Sequence, residues 1–93
     1  GKAVFMRTFK NGELVRYTSE FLRYTGWFVD VPINGVIVDD SDPQVARVVF
    51  SDSTDRVDRG LWSNLEADPK NAGKRYPELV REFAVLFETE RRS

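Results

Sequence analysis

The sequence predicts a mostly β fold of the α+β class: a small antiparallel barrel or meander carrying one C-terminal amphipathic helix. Three observations carry this. Short runs rich in β-branched and aromatic residues recur through the first two thirds of the chain, each bounded by turn residues. Two Asn-Gly pairs, Asn11-Gly12 and Asn34-Gly35, offer the positive φ angles of tight hairpin turns. The pattern then changes to a helical period after Pro77. At 93 residues the chain makes one domain. Its expected parts are a β region over 1–68, a linker over 69–76 and a helix over 77–92 packed on the same domain.

Taken in order, "AVFMRTF" (3–9) and "ELVRYTS" (13–19) read as strands around Asn11-Gly12. "GWFVDV" (26–31) and "VIVDD" (36–40) read as strands around Asn34-Gly35, with Pro32 where a missing N–H matters little. The loop "DSDP" leads to "VARVVF" (45–50), and "SDSTD" to "RVDRGLW" (56–62). Alternation puts Ala46, Val48 and Phe50 on one face, and Trp27, Val29 and Val31 on another, leaving Phe28 and Asp30 opposite. Residues 19–25 are open between loop, strand and a short helix that Ser19 caps and Gly26 ends. "EADPKNAGKRYP" (66–77) is rich in turn residues. In the last helix Pro77 suits the first position, and Glu78 the positive end of the helix dipole. Leu79, Val80, Phe83, Ala84, Leu86 and Phe87 form its apolar stripe, with Val85 among the polar positions.

Composition excludes several chemistries. The chain has 41% hydrophobic and 31% charged residues, which suits an ordinary folded domain. No apolar run approaches the ~18 residues of a membrane span, and no signal-like leader opens the chain, although Gly1 reads as a trimmed start. Without cysteine there is neither a disulfide nor a thiolate metal site, which fits the expected cytoplasmic location, although many exported bacterial proteins lack cysteine too. Without histidine the commonest general base and metal ligand are both missing. Asp40 and Asp42 have the D-x-D spacing of a calcium loop, but Val45 stands where the loop's glycine belongs and Ser51 where its glutamate belongs. No spacing of the remaining carboxylates, lysines, tyrosines or serines singles out a catalytic group. The expectation is a non-enzymatic protein with no cofactor and no metal.

The binding candidates are aromatic. The stretch "YTSEFLRYTGWF" (17–28) gathers Tyr17, Phe21, Tyr24, Trp27 and Phe28. A domain this small needs most of its large apolar side chains for packing. Alternation nevertheless leaves Tyr24 and Phe28 facing away from Trp27, as possible anchors for a partner. Tyr17 and Trp62 complete the candidate set, Trp62 as either core or groove wall. Charge supplies the alternative. Residues 1–35 carry +2, residues 36–68 carry −5 and residues 69–93 carry +2. Lys70, Lys74, Arg75, Arg91 and Arg92 could meet phosphates if the two basic ends come together in space.

Residues 10–68 resemble the small SH3-like barrels, a group that includes Tudor-like and KOW-type domains. "NGELVRYTS" looks like the opening strand, "NGVIVDD" and "ARVVFSDS" like the central pair, and "WSNLE" like the turn and short final strand. The resemblance implies that residues 20–34 form the long first loop, which flanks the ligand groove of such domains. A Tudor-like cage would place an aromatic in the turn that here reads "SDSTD". Plasmid-type dihydrofolate reductases are similar as well. Their cofactor-contacting strand, V-Q-I-Y, is replaced here by Val57, Asp58, Arg59 and Gly60, so that activity is not carried over. The expected function is a protein- or peptide-binding module using an aromatic face. The alternative is a small nucleic-acid or ribonucleoprotein-associated domain.

Overall fold

The structure, a computed structural model, describes residues 8–26 and 33–92. Its elements are β1 (Leu14–Tyr17), α1 (Ser19–Thr25), β2 (Asn34–Asp39), β3 (Val45–Phe50), β4 (Asp58–Leu61), a 3-10 turn (Trp62–Asn64), β5 (Leu65–Ala67) and α2 (Pro77–Arg92). The strands form one antiparallel sheet in the order β4-β3-β2-β1-β5. The first four make a meander, and the fifth returns beside the first. Among the described residues the sheet is open, with β4 and β5 at its edges. The expected strand over 3–9 and the one over 26–31 fall almost wholly outside the described residues, as do Trp27, Phe28, Val29 and Val31.

Alternation sorts the buried side chains into two layers. Val15, Ile37, Ala46, Val48, Phe50, Trp62 and Leu65 pack on one face, joined by the half-buried Phe9, Tyr17 and Ile33. Val36, Val38 and Val49 pack on the other, where Leu14, Val57, Leu79 and Phe83 cover them. The shared face expected for Ala46, Val48 and Phe50 is thus the first layer. β2 is buried on both sides, which explains its unbroken "VIV". Fully burying a side chain such as Ile37, Val15 or Val48 contributes about 1.5–3 kcal/mol.

The second layer exists because α2 lies across it. Leu79 and Phe83 meet the sheet, Val80 and Leu86 are half-buried, and Val85 is exposed. Ala84 departs from the expected stripe and faces solvent. The outer face offers only a few valines, and Leu79 and Phe83 already cover them.

The two Asn-Gly pairs part company. Asn11-Gly12 does turn the chain: the Glu13 N–H donates to the Lys10 carbonyl at 3.1 Å, and Gly12 has φ 91°. Only Gly12 has positive φ, as in a type II turn, so the expected pair of positive angles is replaced by one. Asn34-Gly35, in contrast, is no turn at all and lies within β2. Gly35 is there for space, since a Cβ on it would lie 2.5 Å from Val48 Cγ1 and 2.8 Å from Phe50 Cδ1. The β2–β3 turn falls instead on the acidic loop, where the Asp42 carboxylate accepts from the Gln44 and Val45 N–H groups at 2.7 and 3.2 Å.

Candidate functional site

The candidate aromatic face is built where β1 ends. Tyr17, in line with Val15, turns its ring toward the first layer. It stacks on Phe50 with centroids 5.0 Å apart and on Phe21 with centroids 4.6 Å apart. The chain then enters α1, whose N-cap is Thr18, not the expected Ser19: the Thr18 hydroxyl accepts from the Phe21 N–H at 3.2 Å. Gly26 ends the helix with φ 73°, and its N–H returns to the carbonyls of Leu22 and Arg23. Of the three alternatives for residues 19–25, the structure has the helix.

One face of α1 is therefore anchored and the other is free. Phe21 and Leu22 are half-buried, while Ser19, Glu20, Arg23, Tyr24 and Thr25 are exposed. Tyr24 is 91% exposed, the largest exposure among the big apolar side chains described. A ring this open makes no contribution to the core, so its position is decided by the backbone of a capped helix.

Tyr17 occupies the boundary between core and surface. Gly60 on β4 lies beside it, where a Cβ would make an ordinary contact of 3.5 Å with the Tyr17 ring and hydroxyl. Burial pushes the phenol pKa above its ordinary 10.0, and the negative charge of Asp58 adds to this. The hydroxyl stays neutral at any ordinary pH. Asp58 itself pairs with Arg56 at 3.4 Å.

Trp62 is core, not groove wall. It is 3% exposed, and its indole N–H donates to the Asp42 carbonyl at 2.8 Å. Its backbone N–H donates to the Gln44 carbonyl at 3.3 Å, so the 3-10 turn and the β2–β3 loop hold each other. Phe28 lies outside the described residues. Of the four aromatic candidates, the structure thus leaves Tyr24 open, Tyr17 partly open and Trp62 closed.

The basic alternative has a different location. Arg75 forms a β-bridge with Glu13, and its Nε donates to the Asn11 carbonyl at 3.0 Å. The Tyr76 N–H donates to the Gly12 carbonyl at 2.8 Å. Residues 10–13 and 75–76 are thereby joined, and Lys10, Lys70, Lys74 and Arg75 are exposed. The junction is of mixed sign, however. Glu13 accepts from the Lys10 N–H, and Asp40 accepts from the Asn11 N–H at 3.0 Å. The side chains of Arg91 and Arg92 are not among those described.

Sequence reasoning missed one buried polar cluster beside this junction. Asp68 is 4% exposed; its carboxylate accepts from the Asn71 amide, whose oxygen accepts from the Tyr76 hydroxyl at 2.8 Å. Asp-Pro at 68–69 signals a turn, and a turn is present, with the Asn71 N–H on the Asp68 carbonyl at 3.0 Å. Nothing local signals burial, which comes from β5 lying beside β1. The segment 69–76 is accordingly a tied-down connection.

The acidic loops cap turns. Asp39 accepts from the Ser41 N–H and hydroxyl, Asp40 turns to Asn11, and Asp42 turns to its own loop. Among the described residues no three His, Cys, Asp or Glu side chains gather as a metal site would require. No helix among them is long and apolar enough to cross a membrane. No protein-family model matches the chain, and neither a curated protein nor a solved structure matches it significantly.

Proposed function

We propose that this protein is a non-enzymatic interaction module of SH3-like type, which binds a protein or peptide through the aromatic face at α1. The frame supports the reading. A four-strand meander, a 3-10 turn and a fifth strand returned beside the first is the order that an SH3-like barrel uses, and α1 occupies the long first connection. The observation that carries it is Tyr24: a large ring, 91% exposed, on a helix fixed at its start by a cap and underneath by the Tyr17–Phe21 stack. Tyrosine gives wide contact area for little loss of rotamer freedom, so a positioned and open tyrosine suits an anchor. Tyr17 supports α1 from beneath through Phe21, and Phe28 is the further candidate in the connection. A cytoplasmic location belongs to this reading.

The test is a double substitution, Tyr24→Ala with Phe28→Ala. Capture of partners from nuclease-treated lysate is compared with wild type, and cooperative unfolding is measured in parallel. Unchanged unfolding with lost capture is the expected result. A cooperative loss of folding would return both rings to the core and end the proposal.

The second reading, a nucleic-acid or ribonucleoprotein-associated domain, draws on the joining of residues 10–13 to 75–76 and on the exposure of Lys10, Lys70, Lys74 and Arg75. Its affinity would fall steeply with salt and vanish from the nuclease-treated arm. Glu13 and Asp40 at the junction weigh against it.

A further inference from the structure

We draw no further inference here: the strongest candidate outside the site already described, the exposed patch at Ala84 and Val85 on the outward face of α2, is a single apolar turn among charged side chains, and nothing in the structure shows what covers it.

Discussion

Gly35 shows how one missing methyl group separates two readings of the same dipeptide. Asn-Gly reads as a turn wherever it occurs, because the local signal concerns only φ. At Gly12 that reading holds; at Gly35 the glycine serves side chains that reach it from β3. No local pattern encodes Val48 and Phe50 closing over that position. Gly35→Ala would therefore destabilise the protein by about 1–3 kcal/mol through overpacking, read as a lower denaturation midpoint. An unchanged midpoint would mean that Phe50 moves aside freely. Tyr17 makes a second prediction at this scale. Its pKa is raised in the folded state, so folding favours the protonated phenol. Below about pH 10 both folded and unfolded states hold the proton and the contribution is full. As pH rises through 10 and on through the folded value, the unfolded state releases its proton first and stability is lost. Wild type should lose more stability than Tyr17→Phe as pH rises above about 10; parallel curves would contradict the assignment.

α1 is the element that sequence left open, for a physical reason. Seven residues are too few to form a helix unaided, since isolated helices need roughly 12–15 to be even marginal. What decides is tertiary: Phe21 finds the Tyr17 ring, and Thr18 becomes the cap because Tyr17 is the last residue of β1. Thr18→Ala should cost about 1 kcal/mol and speed amide exchange over residues 21–25 before the sheet opens. Equal protection in wild type and variant would show that the stack alone orders the helix. α2 lies at the other extreme. Its period, its Pro77 start and the exposure of Val85 were all legible, because sixteen residues give a pattern room to repeat. Ala84 was not, because helical spacing marks which side chains share a face and is silent on how wide the partner surface is. For the binding face the same limit applied. Tyr24 is exposed as expected, but the strand alternation behind that expectation does not apply to a helix, and the closure of Trp62 depends on a carbonyl twenty residues away.

At the scale of the molecule, a short chain builds a sheet with buried side chains on both faces and α2 packed across one of them. The strand rhythm announced the β class, and the resemblance of residues 10–68 pointed to a final strand after the "WSN" turn. That β5 lies beside β1 while α2 covers the opposite face is a matter of pairings between distant segments, which leave no local trace. Ending the chain at residue 76 would uncover Val36, Val38 and Val49 together. The truncated protein should elute as aggregates or unfold at markedly lower denaturant. A monodisperse, equally stable fragment would show that α2 is an appendage. The return of the last strand has one more consequence, in time. Arg16 on β1 meets Glu66 on β5 across a separation of 50 residues, an ion pair 2.7 Å long. A ribosome delivers the first strand well before the last, so β1 must wait, paired with β2 alone, until Ala67 has emerged. Closing a loop of that length precedes the contacts that reward it. Folding should therefore await β5 and come in one step, with little stable structure on any nascent chain that stops short of Ala67.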